Sequence, residues 1–133
     1  MRPRTAAVTA ASLFAVVMVF QVAVALGAPL GAYTQGGGIT GILPAQQRIA
    51  AVASALVVAG MAMAVLAAVG IGPMRTSSPR AKWAALLATT AYSGVAVAVN
   101  LATHSTAERA LWAPISIVLL LCCVRVVHGT QRR

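Results

Sequence analysis

Long apolar runs, separated by short polar or glycine-containing segments, organise the chain. An α-helix rises 1.5 Å per residue, so about 20 residues cross a hydrocarbon core of roughly 30 Å. Four runs reach this length, and they predict spanning helices at residues 5–26, 49–71, 83–101 and 108–127. The expected fold class is all-α: a four-transmembrane-helix bundle, formed by a single membrane domain over residues 1–133.

Glycine, proline and serine residues mark the predicted helix ends. Gly27 is placed to stop the first helix, and Pro44 to open the second at its first turn, where a missing N–H costs nothing. Ser78 followed by Pro79 predicts the N-cap and first turn of the third helix. Gly129 predicts the stop of the fourth helix.

Two segments have more than one interpretation. The first run could be a cleaved signal peptide with a site near Gly27, but it is longer than the usual apolar core of about 7 to 15 residues, which favours a retained helix. The connection 28–47 holds five glycines, two prolines and no charge. It could pack at the membrane surface with Tyr33 at the headgroups, re-enter the membrane, or form a glycine-lined ligand mouth.

Composition supports the membrane assignment. Hydrophobic residues make up 60% of the chain and charged residues 8%, against about 25% charged in soluble proteins. The net charge of +9 would suggest nucleic-acid binding in a soluble protein, but these charges lie between apolar runs, so no nucleic-acid partner is expected. With four spans, eight basic residues share one side and two the other, which predicts cytoplasmic N- and C-termini in a bacterial inner (cell) membrane. The larger group is Arg2, Arg4, Arg75, Arg80, Lys82, Arg125, Arg132 and Arg133, and the smaller is Arg48 and Arg109.

The segment 100–114 carries the only acidic residue, Glu108, on the predicted outer face. Ser105 and Glu108 have the spacing of a capping box, in which each side chain accepts the other's backbone N–H. The alternative is a polar site at which Arg48 is a second partner of Glu108. The candidate outer-face polar cluster is Arg48, Asn100, Ser105, Glu108 and Arg109.

Most chemical functions lack the residues they need. No catalytic motif is present, and one carboxylate cannot supply a carboxylate pair and hardly a metal site, so we expect neither an enzyme nor a cofactor. No Asp, Glu, Lys or His falls in the middle of a span, which counts against a proton-coupled exporter. Cys122 and Cys123 are adjacent in an apolar run, and we interpret them as packing residues. Tyr92, Ala96 and Asn100 share one face of the third helix.

Two sequence patterns resemble those of a group of small, uncharacterised four-helix bacterial integral membrane proteins. One is Gly27-Ala28-Pro29-Leu30-Gly31, followed by Gly36-Gly37 and Leu43-Pro44; the other is Asn100 with Ser105, Glu108-Arg109, Trp112 and Pro114. The resemblance implies the same order of spans and supplies no function.

These observations lead to two hypotheses of function. The first is a non-enzymatic subunit or scaffold of a membrane assembly, packed against a membrane-protein partner or a second copy within the lipid bilayer. The alternative is a small transporter or a lipid- or small-molecule-binding protein that uses the outer-face cluster as its mouth.

Overall fold

Four long α-helices make up the chain in a computed structural model, which describes residues 1–131. No strand occurs among these residues, and all four helices are long and apolar enough to span a membrane. The predicted all-α, four-helix architecture is confirmed, and it fits a multi-pass membrane protein. The helices are α1 (Pro3–Ala25), α2 (Ala45–Ala68), α3 (Pro79–Ala102) and α4 (Thr106–Gln131).

The structure confirms several predicted helix ends and places others at different residues. Gly27 follows α1 with a φ of 96°, a left-handed conformation that suits glycine and ends a helix. The Ser78 hydroxyl accepts the N–H of Ala81 at 3.2 Å, and Pro79 opens α3, as expected. Pro44 is the N-cap of α2 rather than part of its first turn, so this helix begins at Ala45, earlier than predicted.

The prediction that Gly129 ends the last helix is wrong. Helix α4 continues through it to Gln131. Gly129 instead faces α1, where an added Cβ would lie 2.7 Å from the Cβ of Pro3. Arg125 strengthens this contact, since its Nε donates to the carbonyl of Met1 at 2.8 Å. The glycine therefore provides room for two helices to approach closely, a role that small residues commonly have in membrane bundles.

Helices α1 and α4 pack together, α2 packs on α1, and α3 packs on α4, whereas α2 and α3 make the smaller contact that completes the ring. Because successive helices alternate in direction, the bundle has two distinct ends. The terminal end holds the start of α1, the α2–α3 connection and the end of α4. The loop end holds the α1–α2 and α3–α4 connections.

The basic residues divide between these two ends. Six lie at or near the terminal end: Arg2, Arg4, Arg75, Arg80, Lys82 and Arg125. Arg48 and Arg109 lie at the loop end, and Arg132 and Arg133 are outside the described residues. The uneven distribution of basic residues, on which the predicted orientation depends, is thus also present in the structure.

An apolar core fills the terminal half of the bundle. Its largest wholly buried side chains include Leu86, Val65, Cys123 and Val126. Both cysteines are free thiols within it, which agrees with their interpretation as packing residues. The hydroxyls of Thr89 and Ser93 donate to carbonyls of their own helix, each at 2.8 Å, so they place no unpaired donor in the core.

Candidate functional site

The connection between α1 and α2, residues 26–44, folds over the loop end of the bundle and is called the roof loop below. Two short 3₁₀ turns, Gly31–Tyr33 and Gln35–Gly37, give it its shape, and the N–H of Gly31 donates to the carbonyl of Gly41 at 2.9 Å. A side chain on Gly31 would overlap the carbonyl of Ile39. Leu43 is buried against α1 and α2. The roof loop is therefore folded, and Gly31 lies where two parts of its backbone are in close contact.

Three side chains on one face of α4 bind the backbone of the roof loop. They are spaced by three and four residues, so they follow one another along the helix. Two of them donate to loop carbonyls and one accepts a loop N–H. The bonds are Ser105 Oγ to the Ala32 carbonyl at 3.0 Å, Gly36 N–H to Glu108 Oε2 at 3.0 Å, and Trp112 Nε1 to the Tyr33 carbonyl at 2.6 Å.

The loop fits closely against this face. Gly37 has a φ of 66°, and an added Cβ would lie 2.5 Å from the Cβ and Oγ of Ser105. Only glycine tolerates both the left-handed conformation and the close approach. The ring of Trp112 is held from the other side by Phe20 of α1, edge to face, with ring centroids 4.7 Å apart. The two sequence patterns behind the family resemblance thus meet at this contact.

Glu108 forms half of the predicted capping box. Its N–H donates to the Ser105 hydroxyl at 3.1 Å, which confirms the local part of the prediction. The carboxylate accepts instead from the Thr103 hydroxyl at 2.7 Å and from Gly36, both at Oε2. Glu108 is only 9% exposed. A residue that the pattern predicted as a helix cap is therefore also a buried link between α4 and the roof loop.

The two arginines of the predicted cluster bind elsewhere, which corrects their assignment as partners of Glu108. The Nε of Arg48 donates to the carbonyl of Ala25 at 2.9 Å, at the end of α1. A cation is favourable there because the last carbonyls of a helix are unpaired and carry partial negative charge. The guanidinium of Arg109 donates to the carbonyl of Thr103 and is exposed. The side chain of each arginine thus donates a hydrogen bond to a carbonyl at the C-terminal end of a helix, α1 for Arg48 and α3 for Arg109.

A cavity of about 260 Å³ lies beneath the roof loop, between the four helices. Asn100 and Glu108 belong to its wall, together with six polar residues that the predicted cluster did not include. These are Gln21, Thr34, Ser54, Tyr92, Ser93 and Ser116. The apolar part of the wall continues into the core through Phe14, Val58 and Leu119. Tyr92, Ala96 and Asn100, which the sequence places on one face of α3, all line this cavity.

The cavity wall is buried at the loop end and includes exposed residues on the α3 side. Thr34 of the roof loop is 7% exposed and forms part of the wall at the loop end. On α3, the wall residues Val95 and Val99 are 62% and 60% exposed. The exposed face of a spanning helix meets lipid. The cavity wall on the α3 side therefore includes residues of the bundle's outer surface.

Asn100 joins α3 to α4 at the edge of the cavity. Its Nδ2 donates to the carbonyl of Trp112 at 3.5 Å, a long hydrogen bond between the two helices. Across residues 1–131, no group of three His, Cys, Asp or Glu side chains is arranged to hold a metal ion. Of the five residues in the predicted cluster, the structure thus places Asn100 and Glu108 in the cavity wall and Ser105 in a hydrogen bond with Glu108. The side chains of Arg48 and Arg109 bind carbonyls at helix ends instead.

No protein-family model, curated protein or solved structure matches the chain. Its function is therefore inferred from the geometry of the bundle alone, and the resemblance to a small four-helix group stays a prediction.

Proposed function

We propose that this is a non-enzymatic membrane protein that binds a small amphipathic molecule in the cavity beneath the roof loop. The cavity itself carries the proposal. Its volume of about 260 Å³ exceeds the roughly 150 Å³ at which an apolar cavity in a protein binds benzene, and it approaches the lower end of ligand pockets at about 300 Å³. A ligand of about ten to fifteen non-hydrogen atoms suits this space.

The mixture of lining groups supports an amphipathic ligand. Phe14, Val17 and Leu119 provide an apolar floor, and Gln21 and Asn100 provide amides on opposite sides. An amide in a membrane bundle is stabilised by hydrogen bonds, since hydrocarbon offers none. Gln21 is half-buried and lines the cavity, so its carboxamide is placed to bind a polar group of a ligand.

The orientation proposed for the protein places this site in the outer leaflet of a bacterial inner membrane. Basic residues concentrate at the terminal end, and cytoplasmic ends of spanning helices carry such an excess. Both termini are then cytoplasmic, and the roof loop faces outward. A ligand would enter from the outer leaflet beside α3.

A second candidate is the subunit or scaffold role expected from the sequence. Gly60 on α2 supports it, because an added Cβ there would meet no atom within 4 Å, so this glycine is not needed for packing inside the chain. A helix from a partner or a second copy could approach α2 closely at such a position. The two roles are compatible, since a bound small molecule and a bound protein would use different faces.

The test is native mass spectrometry of the protein in nanodiscs, with one cavity-filling variant and a matched control. Ala96→Leu places three extra carbon atoms in the cavity, whereas Ala98→Leu adds them to an exposed position two residues along α3. We expect a small-molecule adduct on the wild type and on Ala98→Leu that is absent from Ala96→Leu. An adduct that persists in Ala96→Leu contradicts the proposal, and a stoichiometric protein partner without any adduct favours the scaffold role instead.

A further inference from the structure

We propose that the cavity selects an organic cation: a small lipophilic amine or quaternary ammonium compound. This inference rests on the proposed function, because it requires that the cavity binds a ligand, and it adds the chemical class. Two independent features of the wall carry it, an isolated carboxylate and a set of aromatic rings.

Within residues 1–131, no cationic side chain forms an ion pair with the carboxylate of Glu108. Glu108 is the only acidic residue of the chain, is nine-tenths buried, and forms part of the cavity wall. Both donors that reach it, from Gly36 and Thr103, are uncharged and bind Oε2. The nearest candidates for a counter-charge, Arg48 and Arg109, donate to backbone carbonyls at helix ends. A buried charge is costly unless an opposite charge accompanies it, and a cationic ligand would supply that charge.

Aromatic rings from three helices line the same cavity. Phe14 lies on α1, Tyr92 on α3 and Trp112 on α4. The faces of such rings attract cations, and sites for quaternary ammonium groups are commonly built from several of them. The edge-to-face contact with Phe20 fixes the ring of Trp112, so part of this arrangement is preorganised. A carboxylate combined with several rings distinguishes a cation site from a general apolar pocket.

Other ligand classes fit this wall less well. An anion, such as a phosphate or a fatty-acid carboxylate, would meet Glu108 without any cationic side chain in the wall. A metal ion would find one carboxylate, where such ions require several charged or carbonyl oxygen ligands. A neutral hydrocarbon would fill the floor but would supply no counter-charge to the carboxylate.

The experiment compares two probes of nearly equal shape, benzyltrimethylammonium and its uncharged isostere neopentylbenzene. Binding is measured by quenching or enhancement of Trp112 fluorescence in nanodiscs of zwitterionic lipid, in a Trp83→Phe background that leaves one tryptophan. We expect the cation to bind at least tenfold more tightly than the isostere. Zwitterionic lipid prevents the cation from accumulating at a negatively charged surface.

Two variants test the two features separately. Glu108→Gln keeps a carbonyl oxygen to accept the Gly36 N–H but removes the charge, so we expect about a tenfold loss of cation affinity and no change for the isostere. Tyr92→Leu removes a ring that is 47% exposed and should cost the cation about threefold, again with little change for the isostere. Because Tyr92 does not bind the roof loop, this variant remains informative even where Glu108→Gln fails to fold.

The outcomes separate this inference from the proposed function. Equal affinity for the two probes, unchanged in both variants, would overturn the cation inference and leave a cavity that binds neutral molecules. Failure of both probes to bind the wild type would overturn the proposed function as well. Loss of both probes in Ala96→Leu, with both retained in Ala98→Leu, would place the binding in this cavity and support both proposals.

Discussion

The terminal half and the loop half of the bundle are built from the same small apolar residues but are filled differently. In the terminal half, side chains from all four helices meet in one core, and Leu86, Cys123 and Val126 have almost no exposed surface. In the loop half, Val24, Leu43 and Ala51 fill the space between α1, α2 and the roof loop, while the space toward α3 stays open as the cavity. Composition therefore does not determine packing; the complementarity of neighbouring helix faces does.

The hydrogen-bond partners of polar side chains also differ between the two halves. On α3, the hydroxyls of Thr89 and Ser93 bind carbonyls of their own helix, and one long contact, 3.9 Å from the Oγ of Ser93 to the Sγ of Cys123, joins this face to α4. At the loop end, Ser105, Glu108 and Trp112 bind the backbone of a segment more than 70 residues earlier in the chain. The terminal half is thus held mainly by packing, and the roof loop mainly by hydrogen bonds. Matched pairs of variants can test this difference.

The largest effect is expected for packing in the terminal half. Leu86 is fully buried, whereas its neighbour Leu87 is 42% exposed and faces lipid. Leu86→Ala should lower the free energy of unfolding by about 3 kcal/mol, because it leaves a cavity in a close-packed core. Leu87→Ala should change it by less than about 0.5 kcal/mol. Reversible unfolding in mixed detergent micelles would measure both, and equal losses would contradict the statement that core packing holds the terminal half.

A smaller effect is expected where the roof loop meets α4. Gly37→Ala introduces a Cβ against Ser105 and a left-handed alanine, and together these should cost roughly 2 kcal/mol. Gly38→Ala is the control, since its φ is −69° and no atom lies within 4 Å of the added Cβ. Limited proteolysis should cut the roof loop faster in Gly37→Ala than in Gly38→Ala. Similar cleavage rates would show that the loop is not held by this contact.

The smallest difference is expected between two serines with the same local role. Ser78 and Ser105 each accept an N–H three residues ahead at a helix start, but only Ser105 also donates to the roof loop. Each Ser→Ala variant should lose about 1 kcal/mol for the cap, and Ser105→Ala about 1 kcal/mol more for the second bond. Hydrogen exchange at residues 32–36 should rise only in Ser105→Ala. A rise in both variants would mean that the roof loop responds to general destabilisation.

The helices were predictable from the sequence because the thickness of the hydrocarbon core fixes their length. The ends of the helices were less predictable, because a glycine such as Gly129 can mark either the end of a helix or a point of close packing between helices. The bond between Ser105 and Glu108 spans three residues and follows from local spacing. The bond from Gly36 to Glu108 crosses 72 positions, and no local pattern indicates it. For the same reason the sequence leaves open whether Arg48 pairs with Glu108, and in the structure Arg48 binds a nearby helix end.

The contact of α1 with α4 has a consequence for how the protein is made. Ala6, Ala7 and Ala10 share their core with Cys122, Cys123 and Val126, so α1 completes its packing only after α4 has been synthesised. Before α4 is present, the alanine face of α1 in the α1–α2 pair is in contact with lipid alone. Contacts of such long sequence separation form late. A nascent chain stalled before α4 should therefore be a better substrate for membrane proteases than the finished bundle.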